Sequence, residues 1–277
     1  MNKIMGFIEH LLGWEIEKKP NKTENRLTNR RIPMNKIAVI IPARLASTRF
    51  PRKALADIYG KPVIQRVYEA ASQAKGIADA FVATPDVELA EVVESFGGKY
   101  IMTGPQDTCL GRCSEAMRDD ALFDYYGAVI AQGDEPMLKP EMLDVAVEAL
   151  GKYGVCWLVK KILPHEDPTD INMIKCALNS NGNIIYVSRG AIPIPTPEGD
   201  HDFIPTYYKQ VGVVAFGRRM LIEFNNLERG PLEKCEGIDL LRFLEHGVIV
   251  SSALSPYDTQ SLDTPEDLER ILDMWPK

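Results

Sequence analysis

Three short stretches carry side chains whose types and spacing can do chemistry. The first is PARLASTRFPRK, residues 42–53, where Arg44, Arg49, Arg52 and Lys53 crowd into one loop with Ser47 and Thr48. Arginine offers a planar fork of donors and lysine a compact charge, a combination that suits a polyphosphate. The second is QGDEP, residues 132–136, with Asp134 and Glu135 side by side. Mg2+ takes one or two carboxylates and fills its shell with phosphate oxygens and water, so an acidic pair facing a cationic loop is what a metal–triphosphate needs. The third is SLDTPEDLERI, residues 261–271. Here Asp263 or Thr264 can cap a helix that opens at Pro265, with Glu266 and Asp267 in its first turn. Each stretch alone has a plain explanation: a solvated basic loop, an acidic turn, a helix cap. The loop matches neither GxGxxG nor GxxxxGK[ST], so neither a dinucleotide fold nor a P-loop is supported.

Residues this far apart must be brought together by the elements between them. IAVII (37–41), AFVAT (80–84), KYIMT (99–103) and the start of GAVIAQGDEP (127–136) read as short apolar strands. PVIQRVYEAASQA places Val63, Ile64, Val67 and Ala71 at helical spacing. VELAEVVESFG, closed by Gly97 and Gly98, CSEAMRDDAL and EMLDVAVEAL also read as helices. Strands alternating with helices predict an α/β fold with a mostly parallel sheet and right-handed crossovers. In such sheets ligands bind beyond the carboxyl ends of the strands. The basic loop and QGDEP both leave a strand at that end. The second half changes character. VCWLVKKI, IKCAL, NIIYVSR, KQVGVVAF and VIVSSA are strands with fewer helices between them, which predicts a mixed sheet and a β-rich lobe.

The 277 residues and 45% hydrophobic fraction are ample for a buried core. A net charge of −7 argues against a global nucleic-acid or anionic-membrane surface and makes any cationic site local. Cys109, Cys113, Cys156, Cys176 and Cys235 form no CxxC pair, so a disulfide framework is not expected and a cytoplasmic setting is. His165, His201 and His246 are isolated and lack ligand spacing. Residues 1–35 read as an N-terminal extension. Phe7, Ile8, Leu11, Leu12 and Trp14 form a short amphipathic pattern, and a polar, basic linker follows. That apolar run is too short to span a bilayer and lacks a secretory cleavage pattern. Residues 36–277 read as the functional domain.

PARLASTRFPRK, QGDEP and LDTPEDLER, together with NMIK (172–175), SRGAIPIP (188–195) and PLEKCEGIDLLRFLEHG (231–247), resemble in sequence and order the 3-deoxy-manno-octulosonate (Kdo) cytidylyltransferases, the CMP-Kdo synthetases. The resemblance runs from about Ile37 to the end of the chain. It implies a three-layer, Rossmann-like nucleotidyltransferase domain whose β-rich lobe serves acceptor binding and dimerisation. It implies transfer of CMP from CTP to a Kdo-like sugar acid with release of pyrophosphate, Mg2+ as cofactor, CTP and a small acidic sugar as partners, and a homodimer. Carried over by position, Arg44, Lys53 and Asp134 are catalytic. Pro42, Ala43, Arg44, Ser47, Arg49, Lys53, Arg112 and Gln132 bind the nucleotide. Asp134 and Asp263 hold the metal. Arg189, Gln210 and Asp239 bind the acceptor.

The departures concern the substrates. GPQDTCLGRCSEA (104–116) replaces the family's His-x-Ser-Gly-Thr segment and is similar to the spore-coat polysaccharide (SpsF-like) cytidylyltransferases. In the stretch that reads QVGVV here, Gln210 and Val214 stand for the usual His and Tyr, and Asp239–Leu240 for a Glu-Gln pair. These changes leave open a nonulosonic or other small anionic acceptor. A non-catalytic nucleotide-binding protein on the same fold is the alternative of another class.

Overall fold

The computed structural model describes residues 36–151, 154–196, 199 and 206–275. The amphipathic pattern of residues 1–35 and most of the loop around His201 lie outside these. β1 (Ile37–Pro42) shows in miniature how the fold forms. Ile37, Val39 and Ile41 enter one buried cluster, and Ala38 and Ile40 enter another. A strand buried on both faces reads as an unbroken apolar run, which is why IAVII has no polar alternation.

β1 is followed by a hairpin, β2 (Asp57–Ile58) and β3 (Lys61–Pro62), and by α1 (Val63–Ala71). β4 (Asp79–Thr84), α2 (Val87–Ser95), β5 (Tyr100–Met102), α3 (Cys109–Ala116), β6 (Gly127–Ala131) and α4 (Pro140–Ala149) complete the alternating half. The apolar stripes of α1, α2 and α4 (Val63, Val67, Leu89, Val93, Met142 and Ala146) pack on one face of the sheet. Leu110, Cys113 and Ala116 of α3 pack on the other. The result is three layers.

The second half adds β7 (Val155–Lys161), β8 (Lys175–Leu178), β9 (Asn183–Ser188), β10 (Tyr208–Gly217) and β11 (Val250–Leu254). Its described residues also hold four α-helices: α5 (Arg218–Glu223), α6 (Pro231–Glu236), α7 (Leu240–Glu245) and α8 (Pro265–Met274). One nine-stranded sheet runs β5-β4-β1-β6-β10-β7-β11-β9-β8. β5, β4, β1 and β6 are parallel, as the alternating pattern predicts. β10 is antiparallel to both β6 and β7, so the sheet as a whole is mixed. β8 also pairs with the start of β10 (Tyr208↔Cys176, Lys209↔Lys175), which closes β10, β7, β11, β9 and β8 into a ring.

The seam between the two regimes lies in β10. Its register against β7 runs Gln210↔Val159 and then jumps to Val214↔Trp157. The intervening residues bulge, and bulges re-aim side chains next to functional sites. The Trp157 indole donates to Val211 O at 2.9 Å, and Gln132 N–H donates to Gly212 O at 3.2 Å. Gln210 and Gly212 therefore face the end of β6.

Candidate active site

Two cavities open at the carboxyl ends of β1 and β6. The first, about 620 Å³, is lined by Pro42, Ala43, Arg44, Ser47, Arg49 and Lys53 from the basic loop, by Gln106–Cys109 and Arg112, and by Gln132, Gly133, Asp134 and Asp263. The second, about 760 Å³, is lined among others by Glu135, residues 171–174, Arg189, Lys209, Gln210, Gly212 and Asp258. Arg49, Lys53, Gln132, Asp134 and Asp263 line both. Residues from three distant stretches thus form one shared wall.

Specific backbone contacts build that wall. Gly133 passes so close to β1 that a Cβ there would lie 2.8 Å from Pro42 O. Leu262 N–H donates to Asp134 O at 2.8 Å and ties SLDT to QGDEP. Thr264, not Asp263, caps α8: its side chain accepts from Asp267 N, while Asp267 Oδ2 accepts from the amides of Asp263 (3.0 Å) and Thr264 (2.8 Å). This reciprocal cap satisfies the helix start and leaves the Asp263 carboxylate for the site. In the basic loop, Leu45 N–H donates to Asp86 Oδ2 at 2.7 Å.

At the centre, Lys53 Nζ lies 2.6 Å from Asp134 Oδ2 and 2.9 Å from Asp263 Oδ1, and Arg49 reaches Asp263 Oδ1 at 3.0 Å. Burial pushes the Lys53 ammonium down, but the two carboxylates outweigh it and hold the pKa above the ordinary value. Asp134 Oδ1 is buried and has no hydrogen-bond partner. A buried oxygen of this kind costs about 1–3 kcal/mol unless something meets it. Among the described residues no group of three or more His, Cys, Asp or Glu forms a metal site. Mg2+ does not require one when phosphate oxygens and waters complete its shell. The orphaned Asp134 oxygen beside Asp263 fits that ion.

Besides Asp134, Asp263 and Asp107, the charged groups of the first cavity are cations: Arg44, Arg49, Lys53 and Arg112. Arg112 is only 4% exposed. Its NH1 donates to Thr103 Oγ1 at 2.6 Å and Gly104 O at 3.4 Å, with no carboxylate among these partners. Burial pulls its pKa down. Arg52, the fourth cation of the loop, does not line either cavity. Its backbone is left-handed (φ 61°), and its guanidinium pairs with Glu88, NH1 to Oε2 at 2.9 Å.

In the second cavity Arg189 is fixed by backbone carbonyls: Nε donates to Glu236 O at 3.0 Å and NH1 to Ile171 O at 2.9 Å. The Glu236 carboxylate accepts from Arg189 N at 3.0 Å and Ser188 Oγ at 2.7 Å. Lys209 is held by Glu166 at 2.5 Å and Asp258 at 2.7 Å. Glu135 is buried beside Asp134. Burial first, then the Asp134 charge, pushes its pKa up to about 8.

Asp239 departs from the expectation of an acceptor contact, since it lines neither cavity. Its Oδ2 accepts from Leu110 N at 2.9 Å, so it satisfies an amide at the start of α3, where a negative charge is favoured. Val214, likewise weighed as a pocket substitution, is buried in the sheet. The sequence reading did not single out Lys175. Its side chain is fully buried, and Nζ donates to Asp170 O at 2.7 Å, Met173 O at 2.6 Å and Arg189 O. One ammonium thus ties together two walls of the second cavity. A Lys inside the apolar run MIKCAL was the available signal, because a buried lysine needs partners.

A sequence profile described as "Cytidylyltransferase" matches residues 38–253. An 8-amino-3,8-dideoxy-manno-octulosonate cytidylyltransferase from Shewanella pealeana is 38% identical over 238 residues, 84% of this chain and 95% of that protein. A 3-deoxy-manno-octulosonate cytidylyltransferase from Thermodesulfovibrio yellowstonii is 38% identical over 243 residues, 83% of this chain and 94% of that one. Among solved structures, a CMP:2-keto-3-deoxy-manno-octonic acid synthetase complexed with CTP superposes with a TM-score of 0.78 at 31% identity, covering 86% of this chain and 98% of the other.

Proposed function

The chain belongs to the cytidylyltransferase family, and we propose that it transfers CMP from CTP to the anomeric hydroxyl of an eight-carbon, Kdo-like sugar acid. One observation carries the reading: Lys53, Asp134 and Asp263 stand on the wall common to a cationic cavity and an acceptor-sized one. Arg44, Ser47, Arg49 and Lys53 bind the triphosphate, and Arg112 and Gln132 complete that cavity. Arg189 takes the acceptor's carboxylate. The acceptor oxygen forms a bond to the α-phosphorus, and the bond from that phosphorus to the bridging oxygen breaks. The hydroxyl gives up its proton and pyrophosphate leaves. Most of the rate comes from holding the two substrates in line and matching the phosphate charge with fixed cations. Asp134 and Asp263 would hold Mg2+, which when bound neutralises phosphate charge and polarises oxygen.

The product would serve cell-surface polysaccharide synthesis by a cytoplasmic homodimer; free cysteines at all five positions accord with a reducing compartment. Pyrophosphate release with Mg2+, CTP and a panel of sugar acids tests the reading, with UTP and ATP as controls. The expected result is CTP-dependent release with Kdo or its 8-amino analogue, reduced about 100-fold or more in Asp134→Asn. Gln210 in place of the family's His supports a second reading, in which release occurs only with a nonulosonic or other small acid.

A further inference from the structure

Arg52 and Lys53 are adjacent in sequence and go separate ways. Lys53 Nζ meets Asp134 and Asp263 on the wall that the two cavities share. The Arg52 guanidinium lines neither cavity. It grips Glu88 with two bonds, NH1 to Oε2 at 2.9 Å and NH2 to Oε1. The parting is made by the Arg52 backbone, at φ 61° and ψ 24°. Glycine takes this conformation freely. Any other residue is uncommon there and stays only where its surroundings hold it.

Those surroundings form a closed circuit. Asp86 precedes α2, and Glu88 lies in its first turn. Asp86 Oδ2 accepts from Leu45 N–H at 2.7 Å, Leu45 O accepts from Arg52 N–H at 3.0 Å, and Arg52 returns to Glu88. Residues 46–51 run between Leu45 and Arg52, so both ends of that segment are tied to one helix. Ala46, Ser47, Thr48 and Arg49 within it line the first cavity. On the far side, Arg52 O accepts from Leu55 N–H at 2.8 Å and opens the 3-10 turn Lys53–Leu55. The residue that Glu88 grips therefore sets the direction of both the segment and Lys53.

Both side chains of the pair are half exposed, and a pair so exposed adds little to global stability. It can still decide between conformations of a loop. A ligand that needs one conformation binds more weakly in proportion as that conformation is less populated. We propose that Glu88 and Arg52 are positioning residues: their ion pair holds the left-handed turn that keeps residues 46–49 and Lys53 directed at the triphosphate. The proposal rests on the cytidylyltransferase reading and adds to it two residues that touch no substrate.

The test is calorimetric binding of α,β-methylene-CTP, which cannot react, in the presence of Mg2+. The proteins are full-length wild type, Glu88→Gln, Arg52→Ala, Arg52→Gly and the double variant Arg52→Ala with Glu88→Gln, each with its melting temperature. By charge alone, Glu88→Gln removes a negative group and should favour an anionic ligand. The positioning role predicts the reverse, an affinity weakened about fivefold. Arg52→Ala should lose at least as much, and Arg52→Gly less than Arg52→Ala, because glycine keeps the turn without the pair. Adding Glu88→Gln to Arg52→Ala should change affinity less than about twofold, since the partner is already gone. Melting temperatures should stay within about 2 °C of wild type. Unchanged or tighter binding by Glu88→Gln would overturn the proposal. So would a further loss in the double variant, a glycine variant no better than the alanine one, or an affinity that falls only where the melting temperature falls, as a merely structural pair would give. In each of these cases wild type binds the analogue and the cytidylyltransferase reading stands. If wild type bound no nucleotide, both would fall together.

Discussion

Lys53 joins two carboxylates that would otherwise repel each other. Its ammonium lies within 3 Å of both Asp134 and Asp263, and all three side chains are largely shielded, at 17%, 21% and 29% exposure. Lys53→Met keeps the length and removes the charge. The melting temperature should fall, and millimolar Mg2+ should restore more of it in the variant than it adds to wild type, because a divalent ion replaces the missing charge. Thermal scans with Mg2+ and with EDTA read this directly; an equal Mg2+ effect in both proteins would show that the two aspartates do not share a cation site. On the proposed function, in which Lys53 also meets the triphosphate, pyrophosphate release should drop about 100-fold. Arg44, Lys53, Asp134 and Asp263 were legible as a site because like functions gather at strand ends in separate motifs. Arg52 misled, since its neighbours in sequence line the cavity while its own left-handed backbone turns it to Glu88. Glu135 was visible as a residue, but its burial was not, because that depends on a glycine 77 positions later.

Among the elements, the short helices α6 and α7 share one buried carboxylate, Glu233, which Arg242 meets and which Arg229, itself half-exposed, also reaches at 3.2 Å. Arg242 Nε and NH2 each meet a Glu233 oxygen at 2.7 Å, and the guanidinium stacks 4.0 Å from the Phe224 ring centroid. Glu233 is fully buried. Removing one partner of such a pair strands a charge. Arg242→Met leaves Glu233 only the half-exposed Arg229 and should therefore lower stability by up to about 3–5 kcal/mol in urea unfolding, and adding Glu233→Leu should recover most of it. The end of α6 also supports the second cavity, since Glu236 holds Arg189, which lines it. Burial raises the Glu236 pKa, but bonds from the Arg189 amide, Ser188 and Tyr186 hold it below the ordinary carboxylate value. A depressed folded pKa contributes stability that is present above the unfolded value, about 4.3, and lost as pH falls through the folded one. Glu236→Gln should cost about 1 kcal/mol near pH 7, a modest value because the group is partly solvated. That difference should start to shrink as the pH falls below about 4.3 and close once it passes the lower folded value. Denaturation midpoints followed from pH 7 down into the acid range would show it, and a gap that never narrowed would mean the carboxylate charge is not what holds Arg189. These helices escaped the periodicity reading because six residues carry less than two turns of pattern. α3 opened four residues earlier than its apolar run, because Thr108 caps it.

At the scale of the whole molecule, two sheet regimes meet at the bulge of β10. The parallel strands β1 and β6 end at the first cavity, and the ring of β10, β7, β11, β9 and β8 walls the second. The alternating half was legible because each strand, helix and crossover repeats one physical pattern. The closure of β8 onto β10 was not, since it pairs residues more than thirty positions apart, just before a bulge that no local pattern announces. This division bears on residues 1–35. β1 is flanked by β4 and β6, and Lys36 O already accepts from Tyr126 N at 2.9 Å. The family match begins at residue 38, and every residue lining the two cavities lies beyond residue 41. A chain begun at Met34 should accordingly melt within about 2 °C of the full protein, and its kcat/KM for pyrophosphate release should stay within about twofold, which is under 0.5 kcal/mol of transition-state stabilisation. A larger loss in kcat/KM at an unchanged melting temperature would assign the extension to the site itself. A fall in melting temperature without loss of activity per folded molecule would assign it to the fold.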